Sequence, residues 1–141
     1  MVPPSAERRI ELVSMVPLEG QRYMSLSTFR RSGAEVATPV WFAASGGKLY
    51  VFTAGDSGKV KRLRLSSRAR VAPSDARGRV RGTRRNATAR VVTDASTIEQ
   101  AHAAMRAKYG WQIVMTDLIS RLTGRLSRRA WIEIDVAPRA T

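Results

Sequence analysis

The chain has 141 residues, a formal net charge of +14, no cysteine and a single histidine. The missing cysteines exclude disulfides, thiolate-bound zinc, iron–sulfur clusters and cysteine nucleophiles, and one histidine excludes a multi-histidine metal site. Hydrophobic residues make up 43%, enough for one domain with a real core, yet no apolar run is long enough to span a bilayer. With no leader-like N-terminus and no cysteine, the cytoplasm is the expected compartment.

Residues 1–20 are expected to form an N-terminal extension, with a short helix at Ile10–Leu18 ended by Pro17, and residues 21–137 the folded domain. Arg22–Phe29 alternates apolar and small polar residues and predicts a strand. A turn at Arg30–Gly33 leads into a second strand, Glu35–Ala44, and the two read as a hairpin. Pro39 has no amide hydrogen to give a ladder, so it is expected on an edge or at a bulge. After the turn Ser45–Lys48 comes a strand at Leu49–Thr53, which suggests a three-stranded antiparallel meander.

A short helix is predicted from Ser57 to Ser66, with Asp56 or Ser57 as N-cap. Val60 and Leu63 share one of its faces, and Lys59 and Arg62 another. Arg68–Pro73 reads as a strand, Ser74–Gly78 as a turn, and Val80–Val92 as a strand interrupted by Gly82 and Asn86. Ala95–Lys108 is the clearest helix, capped by Thr93 or Asp94, with Ile98, Ala101 and Met105 as its buried stripe. Trp111–Arg125 predicts a further helix, apolar at Ile113, Leu118 and Leu122. Ala130–Val136 alternates cleanly and is expected to close the sheet. Many short strands with few helices favour a mainly β, α+β fold of barrel or sandwich type.

The charge is uneven. Between Ser57 and Arg90 twelve basic residues face one acid, Asp75, so that stretch holds +11 of the +14. Such a field attracts polyanions. The same stretch contains no Phe, Tyr or Trp to stack bases, which argues against nucleic acid as the partner. Its sharpest segment is Ser57-Gly58-Lys59-Val60-Lys61-Arg62. The first amides of a helix lack intrahelical partners and carry partial positive charge, Gly58 permits close approach, Ser57 adds a hydroxyl, and Lys59 adds a cation. A phosphate suits such an end; from spacing alone, a capped basic surface helix fits equally. His102 lies inside the clearest helix, and the acids form no obvious pair, so an enzyme of this sequence would lean on a cofactor.

The segment Phe52–Leu63 resembles the phosphate-binding segment of pyridoxamine 5'-phosphate oxidase-like split β-barrel proteins. TPVWF (Thr38–Phe42), SGKVKRLR (Ser57–Arg64) and RVAPSDARGR (Arg70–Arg79) resemble the coenzyme F420-dependent branch of that superfamily, and the likeness runs from Arg22 to Val136. It implies an antiparallel split β-barrel of the FMN-binding type. In the flavin-using oxidases a Ser and a Lys of this loop hold phosphate, which correspond to Ser57 and Lys59, with Gly58 in place of a family Arg and with Lys61 and Arg62 as neighbours for the same task. An Arg and a Lys that hold flavin mononucleotide (FMN) there fall on Thr38 and Ala43 here, and losing both favours coenzyme F420, a deazaflavin with a phosphodiester and an acidic tail. The resemblance places the deazaflavin ring near Pro39, Val40, Thr53 and Ala54, with Trp41 beside them and Thr38 among the coenzyme-binding positions, and implies a homodimer that passes a hydride to a small-molecule acceptor; residues from Trp111 to Leu122 are candidates for selecting that acceptor. An FMN-binding oxidase or flavin reductase is the alternative, followed by a non-enzymatic polyanion binder.

Overall fold

The computed structural model describes residues 18, 20–124 and 128–137. Among them are seven strands: β1 (Tyr23–Phe29), β2 (Glu35–Val40), β3 (Ala43–Ser45), β4 (Lys48–Ala54), β5 (Arg68–Ser74), β6 (Arg85–Val92) and β7 (Arg129–Val136). Three helices accompany them: α1 (Gly58–Leu65), α2 (Ala95–Tyr109) and α3 (Trp111–Leu122). The strands form one antiparallel sheet in the order β2-β1-β5-β6-β7-β4-β3. Met24 of β1, Val51 of β4, Val71 of β5, Ala89 of β6 and Ile132 of β7 all meet in one buried cluster. One sheet reaches a single cluster from so many strands only by curling around it, so the fold is the expected α+β split barrel. Each Leu or Ile buried there contributes about 1.5–3 kcal/mol.

A second apolar cluster occupies the outer side of the sheet, where Ala43, Tyr50, Val92 and Trp131 meet Ala101, Met105, Tyr109 and Ile113 of the two longer helices. Asp94 caps α2 by accepting from the Thr97 amide at 3.0 Å. Ala101 and Met105 are buried as their spacing predicts. Of the apolar residues anticipated for α3, only Ile113 is buried; Leu118 and Leu122 are 50% and 79% exposed.

The β1–β2 hairpin is present, with Pro39 opposite Ser25 on the edge strand β2. The span Glu35–Ala44 is not one strand, however. The chain leaves β2 at Val40 and resumes as β3 at Ala43, and those two strands occupy opposite edges of the sheet, so no meander forms. The cause lies in α2. The Phe42 amide donates to the Tyr109 hydroxyl at 3.0 Å, that hydroxyl donates to the Arg22 carbonyl at 2.7 Å, and Lys108 Nζ donates to the Phe42 carbonyl at 2.9 Å. With its peptide groups satisfied by side chains, Phe42 has no need of a ladder. β7 does not close the sheet at an edge; it lies between β6 and β4 and joins the two hairpin halves. Val80 makes only an isolated bridge to Ser74, and β6 begins at Arg85. The helix expected at Ile10–Leu18 lies outside the described residues apart from Leu18, which is buried in the barrel core. The same holds for residue 125 at the end of the helix expected from Trp111.

Candidate functional site

Helix α1 is seated by Val60 and Leu63, both buried against the barrel. Ser57 is its N-cap, with extended backbone and a hydroxyl oxygen that accepts from the Val60 amide at 3.4 Å. Arg62 does not extend into solvent. Its Nε donates to the buried Thr28 hydroxyl at 2.6 Å, and its guanidinium folds back over the first turn. A Cβ at Gly58 would stand 2.6 Å from an Arg62 amino nitrogen, so this fold-back needs glycine there. Lys59 is half-buried and has no ion-pair partner among the described residues. Burial, reinforced by the neighbouring Arg62, holds its ammonium below the usual lysine range. Burial, and then Arg30, likewise lowers the Arg62 guanidinium.

Two clefts open beside this helix. The first, of about 340 Å³, is lined by Pro39, Val40, Trp41, Phe52, Thr53, Lys59 and Thr116. The second, of about 450 Å³, is lined by Phe52, Thr53, Ala54, Asp56, Ser120, Arg128 and Arg129. Phe52 and Thr53 are common to both, so the two clefts adjoin along β4. Trp41 is a rigid wall of the first, its ring stacked on Tyr109 at 4.8 Å and 12°. Gly55 ties β4 to Arg128, a lining residue of the second. Its amide donates to the Arg128 carbonyl at 2.6 Å, and a Cβ there would meet that oxygen at 2.5 Å.

The residues anticipated from sequence therefore converge in part. Pro39, Val40, Trp41, Thr53 and Lys59 share the first cleft, and Ala54 lines the second. Ser57, Gly58 and Arg62 form the adjoining helix start. Lys61 is exposed and lines neither cleft. Thr38 precedes Pro39 on β2 and lines neither cleft; its Oγ1 is buried without a hydrogen-bond partner. Ala43 is 1% exposed and packs in the outer cluster beneath the helices. Neither position offers a cation.

Sequence reasoning did not single out Phe52, Arg128 or Arg129 as lining residues, and it reached Thr116 and Ser120 only as part of the segment Trp111–Leu122. Thr116 and Ser120 carried a signal: two hydroxyl residues four apart on a helix share a face. His102 is a packed helix residue rather than a base at either cleft. Its Nε2 lies 2.7 Å from Asp117 Oδ2, and the other Asp117 oxygen accepts from Arg129 at 2.9 Å. Burial pushes the Asp117 carboxyl up, but the hydrogen bonds from Arg129 and His102 outweigh it and leave the pKa lowered.

The basic stretch is partly spent on the fold. Arg70 pairs with Glu35 at 3.3 Å, Arg79 with Asp75 at 2.8 Å and Arg90 with the buried Glu133 at 3.0 Å, while Arg68 lies 3.9 Å over the Phe29 ring. No group of three or more His, Asp or Glu among the described residues is arranged to hold a metal, and no helix there is long and apolar enough to cross a membrane.

Solved structures share the architecture at low identity. A conserved hypothetical protein of Mycobacterium tuberculosis superposes with a TM-score of 0.64 at 16% identity, over 99% of this chain and 82% of that one. A haem storage protein of Vibrio cholerae gives 0.64 at 13% identity over 98% and 92%. An FAD-binding protein of Mesorhizobium loti gives 0.56 at 15% identity over 90% and 87%. No curated protein matches the chain at a significant level. The family model described as pyridoxamine 5'-phosphate oxidase matches residues 14–138, which take in all seven strands and the three helices, and the chain belongs to that family.

Proposed function

We propose that this protein is a coenzyme F420-dependent oxidoreductase, acting as a cytoplasmic homodimer on a small organic acceptor. The observation that carries the reading is Lys59: a half-buried cation with no carboxylate partner among the described residues, on the first turn of α1, lining the first cleft. Lys59, the Ser57 hydroxyl and the first amides of α1 would hold phosphate oxygens, and the Arg62 guanidinium folded over Gly58 adds a second charge there. Each helix-terminus contact contributes about 0.3–1 kcal/mol.

The coenzyme, when bound, supplies the hydride; the chain supplies orientation and exclusion of water. Pro39, Val40 and Phe52 give an apolar wall, and Trp41, fixed by Tyr109, keeps that wall from collapsing into the slot. Neither Thr38 nor Ala43 supplies the cation that meets FMN in the flavin-using oxidases, which favours the deazaflavin over the flavin.

FMN is the second reading, favoured by the FAD-binding relative with the same fold. Calorimetric titration with oxidised coenzyme F420 and, separately, with FMN decides between them. Tight binding of the deazaflavin with weak binding of FMN is expected, and the reverse order removes the proposal. For the homodimer, the support is the outer face of α3, where Trp111, Val114, Met115, Leu118, Ile119 and Leu122 are all exposed. An apolar stripe of that length is unusual on a monomer.

A further inference from the structure

Arg129 opens β7 at the second cleft, and its guanidinium is gripped from three sides. One amino group donates to Asp117 Oδ1 at 2.9 Å, the other to Ser120 Oγ at 3.2 Å, and the flat of the group lies 4.1 Å from the Phe52 ring centre. The side chain is 6% exposed. An ion pair that served only to join α3 to β7 would need no cavity in front of it. Here Asp117 lies behind, tied through its other oxygen to His102, and does not line the cleft, whereas Arg129 does. The cavity therefore meets the cation of the pair and not its anion.

Three further features define what fits. Arg128 adds a second guanidinium at the rim. Asp56 also lines the cleft, with no ion-pair partner among the described residues, which disfavours a doubly charged anion relative to a singly charged one. The Phe52 ring, shared with the first cleft, offers a flat apolar surface between the two. A guanidinium locked in plane matches a carboxylate through two parallel hydrogen bonds, and about 450 Å³ suits a small molecule.

We infer that the second cleft is a carboxylate-binding subsite for the acceptor, that Arg129 is its recognition residue, and that Asp117 is the positioning residue that fixes the guanidinium plane. The word acceptor rests on the oxidoreductase reading above; the carboxylate site itself does not.

The test uses the full chain without coenzyme, titrated with benzoate and, separately, with inorganic phosphate, and followed by heteronuclear NMR. Benzoate is expected to shift Thr53, Ser120 and the Arg129 side chain, and phosphate to shift Ser57, Gly58 and Lys59. Arg129→Gln should weaken benzoate by about tenfold or more and leave phosphate and coenzyme F420 affinity unchanged. Because that change strands Asp117, Arg129→Lys serves as a second variant: it keeps the charge, loses the planar fork, and should also weaken benzoate severalfold. Benzoate that moves none of these signals, or that binds both variants as tightly as the parent, overturns the inference. A fall in coenzyme affinity in Arg129→Lys also overturns it, since the carboxylate would then belong to the coenzyme's tail. If coenzyme F420 fails to bind while benzoate behaves as expected, the oxidoreductase reading falls and the carboxylate site stands.

Discussion

Arg62 reaches from helix α1 to the barrel interior, its Nε 2.6 Å from the Thr28 hydroxyl, and in doing so lays its guanidinium over the α-carbon of Gly58. The contact has a structural and a functional side. It ties α1 to β1, and it parks a cation at the helix N-terminus, where the backbone already carries partial positive charge.

Gly58→Ala separates those two sides. The added methyl would stand 2.6 Å from an Arg62 amino nitrogen, the end of a flexible side chain that moves cheaply. Alanine is also the better helix former, so stability should change by no more than about 1 kcal/mol. The displaced guanidinium leaves the helix start, and phosphate and coenzyme F420 affinity should fall severalfold. Thermal melts and calorimetric titration of the one variant check both halves.

Lys59→Ala should cost more than Arg121→Ala in coenzyme binding, about tenfold against no change, because Lys59 lines the first cleft and Arg121 lines neither. Lys59 also predicts a pH dependence. Its ammonium deprotonates below the ordinary lysine value of 10.5, so anion affinity should begin to fall on the alkaline side before that value is reached. Lys59→Arg, whose charge persists, should flatten the decline. Phosphate affinity measured across alkaline pH reads the difference.

How much of this was legible follows from how far each feature reaches along the chain. The N-cap at Ser57, the buried Val60 and Leu63, and Pro39 on an edge strand are local, and local spacing carried them. The break at Trp41–Phe42 is not local. EVATPVWFAA reads as continuous strand, and what interrupts it is the Tyr109 hydroxyl, 67 positions further on. Arg129 was equally hidden: in a chain this rich in arginine nothing in RRAW distinguishes a residue held by Asp117 from one in solvent. In α3, the sequence showed Ile113, Leu118 and Leu122 as apolar positions without saying which way they face. The structure turns Thr116 and Ser120 toward the clefts and leaves the longer apolar stripe outside.

Lys108 should give the protein an alkaline rise in stability. Its amine donates to the Phe42 carbonyl at 2.9 Å, and burial, with Arg22 nearby, lowers its pKa to about 8 from 10.5. The folded chain therefore releases this proton at lower pH than the unfolded chain, which binds more protons between those values, so stability rises with pH there. Tyr109 opposes it from above. Burial raises its pKa to about 12, so above its ordinary value of 10.0 the folded form binds the extra proton and stability falls. The gain from Lys108 is thus confined to about pH 8–10, and Lys108→Met, which keeps the apolar stem over the Phe42 ring, should remove that share of the rise and leave only what the lowered Lys59 contributes. Melting temperatures of parent and variant across that window are the measurement.

The outer face of α3 yields a prediction about assembly that does not depend on any ligand. Leu118 and Leu122 are exposed by 50% and 79%, so replacing both with Glu removes little buried packing and should leave the isolated fold intact. If a second copy covers this stripe, two carboxylates facing an apolar partner surface carry a large desolvation cost, enough to dissociate the pair. Light scattering coupled to gel filtration should then report a dimer for the parent and a monomer for Leu118→Glu/Leu122→Glu, with matching circular dichroism. Thr116 and Ser120 lie on the same helix and line the two clefts. Loss of the dimer should therefore also weaken coenzyme binding if the partner's helix helps to enclose the slot. A variant that remains dimeric, with affinity unchanged, would place the interface elsewhere on the barrel.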